Sequence, residues 1–148
     1  MKKLLKEDLI LLEKRIQDLE KQLFALGEEF NEAVNQSSET WHDNAPFDVA
    51  RDKQSILQYE RTKLLEIRRN AMTHKLRNTK RVEIGKTVVL HSEEPLRIFI
   101  AGEWTGRVRV GDAIVVTSIS PVAQILLGKK NGDTVNLPRG KHTILSVE

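Results

Sequence analysis

The sequence predicts an α+β chain: an N-terminal antiparallel helical hairpin over residues 1–78, then a small domain over residues 79–148 with an antiparallel sheet and one short helix. Two observations predict it. Leu5, Leu9, Leu12, Ile16, Leu19, Leu23, Leu26 and Phe30 recur at alternating intervals of four and three. That spacing is the stripe a long helix buries against a second helix. Beyond Arg81 the apolar period falls to two, in short β-branched runs separated by Gly and Pro, the pattern of strands and turns.

The elements follow in order. Residues 1 to about 34 form the first arm, with Lys, Glu and Asp on the flanks of the seam. The opening MKKLLKEDLILLEKR is basic and apolar like a leader, but Glu7 and Asp8 interrupt it, so it reads as helix. Residues 35–44, NQSSETWHDN, lose the period and read as the connecting loop. Asp43 or Asn44 is a suitable N-cap for the second arm, and Pro46 falls in its first turn, where a missing N–H costs nothing. This arm runs to about Asn78. Phe47 and Val49 open its stripe, Ile56, Leu57, Leu64, Ile67 and Ala71 continue it, and Gln54 and Arg61 fall near the seam. Arms of roughly 30 residues reach on the order of 45 Å at 1.5 Å per residue, a rod suited to reaching into a cavity. The domain junction falls at Thr79–Val82. VEIGKTVVLH, LRIFIAGE, DAIVVTSIS, DTVNLP and KHTILSVE then supply the strands. PVAQILLGKK supplies the short helix, closed by Gly128.

Composition narrows the function classes. The 148 residues contain no cysteine, which excludes a disulfide framework and a thiolate zinc site. No apolar run reaches the length of a membrane span, so the expectation is a cytoplasmic chain that engages no membrane. The net charge of +3 hides an asymmetry, because residues 28–52 hold seven acidic side chains and one basic side chain. The acid therefore collects at the turn of the hairpin, and the remainder is basic. Such polarity suits a tip aimed at a cation or a basic cavity.

The tip is Glu39, Thr40, Trp41, His42, Asp43 and Asn44. Carboxylates on a loop can hold Mg²⁺ weakly while leaving sites for water and phosphate. Equally, Asp43 or Asn44 can serve only as a helix cap. Trp41 either folds back on the hairpin or touches a partner, where Trp is enriched. His42 has no second His nearby, which argues against a metal role for it.

The C-terminal stretch Ser120-Pro121-Val122-Ala123-Gln124-Ile125-Leu126-Leu127-Gly128-Lys129-Lys130-Asn131-Gly132-Asp133-Thr134-Val135 resembles the signature of the bacterial Gre transcription elongation factors, the GreA/GreB family. In that family a Ser-Pro, a short helix, Leu-Gly-Lys-Lys and a Gly-Asp leading into a strand recur in this order. The resemblance extends to the whole chain, since the family also has an N-terminal antiparallel coiled coil, and Asn44-Ala45 matches the Asn-Ala after the family's acidic pair. It implies an FKBP-like C-terminal domain that docks on RNA polymerase, with Ser120, Pro121, Gly128, Lys129 and Lys130 framing the docking helix. It further implies a coiled coil inserted into the secondary channel and two tip acids that help hold the polymerase's second Mg²⁺. The polymerase itself then cleaves backtracked RNA. The chain would be a monomer without a cofactor or turnover of its own, meeting nascent RNA and DNA only within the elongation complex.

The tip departs from the family pattern. Where the family reads roughly G-D-L-S-E-N-A-E-Y, residues 39–47 read E-T-W-H-D-N-A-P-F. Thr40 replaces the first acid and Asp43 the second, a Glu, while Phe47 stands in for Tyr. Asp43, assisted by Glu39 one residue early, is the remaining catalytic and metal-binding candidate; Thr40, Trp41, His42, Asn44 and Phe47 are tip contacts. A channel-binding regulator that does not promote cleavage is the alternative. A prolyl isomerase needs an aromatic cradle, and this domain offers only Phe99 and Trp104. Weak, non-specific nucleic-acid binding is open to Lys129, Lys130, Arg139 and Lys141, and to Arg68, Arg69, Lys75, Arg77, Lys80 and Arg81 near the junction.

Overall fold

The computed structural model describes residues 2–36, 45–77 and 79–148, with the side chains of 33–36 and 45–47 outside the description. The chain is α+β: a pair of long helices, then a mixed β-sheet with one short helix. By backbone proximity it forms two compact units, Leu12–Arg69 and Met1–Leu11 with Asn70–Glu148. Both ends of the expected hairpin thus belong with the sheet.

The helical unit is built on α1, Lys6–Gln36, and α2, Ala45–Asn70. In α1, Leu12, Ile16, Leu19 and Leu26 are buried, while Leu9, Leu23 and Phe30 are half-buried. Each fully buried aliphatic side chain contributes roughly 1.5–3 kcal/mol. In α2 the buried positions are Ala50 and Leu64, with Leu57 half-buried between them at seven-residue spacing. Gln54 and Arg61 occupy the alternate seam positions and are half-buried. Pro46 is the second residue of α2, within the first turn as expected. Among the described side chains, three expected stripe residues are not in the seam, and one of them, Ala71, lies beyond the end of α2 in a short strand. Ile56 is 67% exposed and Val49 52% exposed, because each lies one position off the Ala50–Leu57–Leu64 line and so faces outward. Val49 and Ile56 attract attention in sequence as apolar residues, whereas Ala50 carries little hydrophobic signal.

Both ends of the hairpin differ from expectation. Lys2–Leu4 is a strand, β1, that pairs in parallel with β2, Ala71–Thr73. The second helix therefore stops at Asn70, short of Asn78, because the next three residues exchange helical hydrogen bonds for this ladder; His74 extends it by donating to the Leu4 carbonyl at 2.8 Å. Leu5 lies just before α1 and is buried in the core of the sheet unit rather than in the helical seam.

Six strands form the main sheet: β3 Thr87–Leu90, β4 Leu96–Ala101, β5 Arg109–Val110, β6 Ala113–Thr117, β7 Thr134–Leu137 and β8 Gly140–Val147. Their order is β5-β6-β4-β3-β8-β7. The sheet is mixed, not antiparallel as the strand runs suggest, since β4 and β6 pair in parallel from Ile98↔Ile114 to Ala101↔Thr117. The cause is β5: it takes the antiparallel edge of β6, so β6 enters beside β4 in the same direction. Alternation reports which face a residue takes but not which neighbour its strand selects. The helix α3, Pro121–Leu126, buries Ala123 and Leu126 in the core with Val88, Leu90, Ile100 and Ile144.

Candidate functional site

Glu39, Thr40, Trp41, His42, Asp43 and Asn44 lie outside the described residues, as does the side chain of Phe47. The structure describes the arms that flank them. Among the described residues, ion pairs between α1 and α2 include Arg15 with Glu60, Arg61 with Glu20, and Arg68 with Glu13. From Glu13 to Glu20 the partner moves back from Arg68 to Arg61, which makes the arms antiparallel. The Arg15 guanidinium donates two hydrogen bonds of 2.8 Å to the Glu60 carboxylate. That bond holds the Glu60 carboxyl below its ordinary pKa and raises that of Arg15. Both partners are more than one-third exposed, so the pair orients the arms more than it stabilises them. Toward residues 37–44, Glu28, Glu29, Glu32, Asp48 and Asp52 are all exposed. Arg51 reaches Asp48 only at 3.6 Å. The acid near the turn is thus largely solvated rather than neutralised. Among the described residues, no three His, Asp or Glu side chains group to hold a metal ion.

In the sheet unit, the signature residues have defined local work. Ser120 is the N-cap of α3, its hydroxyl accepting from the Ala123 N–H at 3.2 Å. Pro121 occupies the first helical position, where its fixed φ suits the helix. Gly128 has φ +82° and reverses the chain after α3. Its N–H donates to the Val82 carbonyl at 2.9 Å, and Val82 N–H donates back to the Lys129 carbonyl at 2.7 Å. Lys129 and Lys130 are exposed. Lys130 N–H donates to Asp133 Oδ2 at 2.9 Å, which explains the Gly-Asp after the two lysines as a turn closure. Ser120, Pro121 and Gly128 shape the backbone, while the two lysine side chains remain available.

A cleft of about 580 Å³ opens beside α3. Leu96, Ile98, Ile114, Val116, Val122 and Leu137 form its apolar walls, with Glu94, Arg139 and His142 among its polar lining. Of these, Val122 alone belongs to the signature stretch read from sequence. The walls gather residues from β4, β6, β7 and α3, which share no sequence period. Alternation within β4 and β6 could have marked Ile98, Ile114 and Val116 as one-faced, but not as a common wall. Phe99 instead lies in the core under the Arg107 guanidinium, 5.2 Å from its ring centroid, and Trp104 packs near Gly106. The cleft wall is aliphatic rather than the aromatic cradle of an isomerase.

A second arrangement was not legible in sequence. Asp8, in the first turn of α1, is fully buried. Its Oδ1 accepts from the Thr105 hydroxyl at 2.7 Å and from Arg107 Nε at 3.1 Å. Nearby, Glu103 N–H donates to the Lys3 carbonyl and Lys3 N–H to the Glu103 carboxylate. A Cβ at Gly102 would overlap the backbone of Lys3, so only glycine lets β1 approach there. The loop after β4 is therefore the seat of the N-terminal segment.

Comparison with known proteins agrees with these features. The C-terminal domain of the GreA/GreB transcription elongation factors matches residues 77–148. The transcription elongation factor GreA of Macrococcus caseolyticus is 32% identical over 105 residues, 65% of this chain and 61% of that protein. GreA of Sulfurovum sp. is 32% identical over 108 residues, 68% of this chain and 65% of that protein. The chain thus spans less than two thirds of either relative. Among solved structures, GreA factor homolog 1 of Thermus thermophilus aligns over 99% of this chain and 97% of its own, at 19% identity and TM-score 0.46. The GreA/GreB factor of Nitrosomonas europaea aligns over 65% of this chain and 89% of its own, at 20% identity and TM-score 0.38.

Proposed function

This chain belongs to the GreA/GreB family of transcription elongation factors, and on that premise we propose that it binds bacterial RNA polymerase and inserts its helical hairpin into the secondary channel. The observation that carries the reading is the union, in one chain, of the Gre-type C-terminal domain with an antiparallel helix pair whose acid collects toward the connecting turn. The C-terminal domain supplies docking. Its apolar cleft offers a surface that can be desolvated, which an interface needs at its centre. Pro121 and Val122 lie beside and within it, and Lys129 and Lys130 add charge that steers the encounter.

At the tip, Asp43 and, secondarily, Glu39 are the groups that would help hold the polymerase's second Mg²⁺. That ion supplies Lewis-acid activation of water at the RNA 3′ end. The chain's own contribution is two carboxylates carried to the site on helical arms, with Asn44 shaping the turn and Thr40, Trp41, His42 and Phe47 meeting the channel. Turnover belongs to the polymerase; this chain is a factor that acts as a monomer and meets RNA and DNA within the elongation complex.

One observation favours a second reading. Thr40 stands where the family carries its first acid, and a hydroxyl is a poor substitute for a carboxylate at a hard cation. On that reading the chain occupies the channel and regulates elongation without promoting cleavage. Transcript cleavage in a purified backtracked complex decides between them. Shortened RNA that disappears with Asp43→Ala, at unchanged polymerase affinity, supports the cleavage factor. No cleavage, but protection of the transcript from a cleaving Gre factor, supports the occupant. Absence of polymerase binding overturns both.

A further inference from the structure

Lys80, Arg81, Lys129 and Lys130 form one surface, although 47 residues separate the two pairs. An isolated antiparallel bridge joins Arg81 to Lys130. The hydrogen bonds between Val82 and the Gly128–Lys129 backbone lock the two segments side by side. Val82 is buried as their anchor, and all four cationic side chains are exposed. Lys86, itself buried, donates to the Thr79 carbonyl and so pins the start of the first segment. Arg81 donates to the Gly128 carbonyl at 2.9 Å, which leaves further guanidinium donors on the surface.

We infer that this patch is a binding site for the phosphate backbone of a nucleic acid. It lies outside the lining of the apolar cleft and goes beyond the docking reading, with which it shares Lys129 and Lys130. Four observations select this partner. The nearest carboxylate in the turn, Asp133, is engaged with the Lys130 N–H. No large apolar side chain is exposed over residues 79–82 or 128–133, so the patch lacks the desolvated centre of a protein interface. Three of its four cations are lysines, which serve phosphates as point charges without demanding one geometry. Finally, a Cβ at Gly128 or Gly132 would meet nothing within 4 Å, so the lysine-bearing turn stands clear for an approaching backbone. Three of the other basic residues are placed differently. Arg68 is taken by Glu13, and Arg139 and Lys141 stand at the far end of β7.

The test is fluorescence anisotropy of the full chain with a mixed-sequence 20-base-pair DNA duplex between 50 and 200 mM salt. Four phosphate contacts predict a log–log salt slope of about −3.6 at roughly −0.9 per contact. Lys80→Glu with Lys130→Glu should weaken binding at 50 mM by more than about tenfold and flatten that slope. Arg139→Glu with Lys141→Glu, the same change in net charge, should shift it by less than about twofold; unchanged melting curves check that both variants fold. Equal losses from the two variants overturn the inference, since net charge alone would then account for binding. No binding at 50 mM also overturns it. So does a Lys80/Lys130 variant that loses RNA polymerase but keeps DNA, which would assign the patch to a protein partner. Loss of polymerase binding through the cleft with DNA binding intact would instead leave this site standing.

Discussion

Asp8 shows how a residue can change meaning between sequence and structure. In sequence it is an acid in the first turn of a helix, a favourable position beside the helix dipole. In the structure it is a buried ion held by Thr105 and Arg107, nearly a hundred residues away. Its Oδ2 and Arg107 Nη2 are buried without hydrogen-bond partners, so the pair contributes less than its burial suggests but is costly to break. Asp8→Ala is expected to lower stability by roughly 3 kcal/mol, read as a shift in urea midpoint, while adding Arg107→Leu restores part of the loss. His74 is a second case. Burial, then the nearby Lys3, lowers its pKa against an opposing Glu83. Above pH 6.5 the ring is neutral in both folded and unfolded chains and has no effect. As pH falls below that value the unfolded chain takes up a proton the folded chain resists, so stability declines. His74→Gln should flatten the fall in urea midpoint between pH 7.5 and 5.5; an identical fall would place the responsible group elsewhere.

At the scale of elements, the first arm was legible because its seam is apolar at every position from Leu9 to Phe30. The second was less so. Its seam alternates small or apolar residues with Gln54 and Arg61, and three large side chains that read as apolar, Val49, Ile56 and Tyr59, lie outside the seam, all more than half exposed. The contrast makes a prediction. Leu19→Ala should cost roughly 2–5 kcal/mol by leaving a cavity, whereas Ile56→Ala should change stability by no more than about 0.5 kcal/mol. Thermal melts of the two variants check it, and equal shifts would contradict the seam. The strand segments of the second unit were also visible from alternation and turn residues. The parallel pairing of β4 with β6 was not, nor was the β1–β2 ribbon, since three-residue strands carry too little period to be read.

For the whole molecule, charge follows architecture. The sheet unit holds fifteen Lys and Arg against nine Asp and Glu, and the helical unit holds nine against twelve. An acidic hairpin and a basic sheet unit suit division of labour between reaching a cation site and holding a partner. On the docking reading, Ile114→Glu should weaken polymerase binding by about tenfold or more. Ile114 lines the cleft and is 43% exposed, so the folded state tolerates the change while the interface loses its desolvated wall. Asp43→Ala should leave affinity largely intact. If the tip variant lost binding and the cleft variant kept it, the assignment of docking and chemistry would reverse.

The sequence by itself determined the helix pair, the sheet segments, the turn at Gly128 and the resemblance to the family. These depend on local period, on φ preferences and on short-range hydrogen bonds, all written within a few residues. Only the tertiary structure decided that Asp8 is seated under Arg107, that the cleft draws its walls from four elements, and that Lys80 and Arg81 lie beside Lys129 and Lys130. Each of those depends on which distant segments pair, and pairing is settled by the packing of the whole chain rather than by any stretch of it.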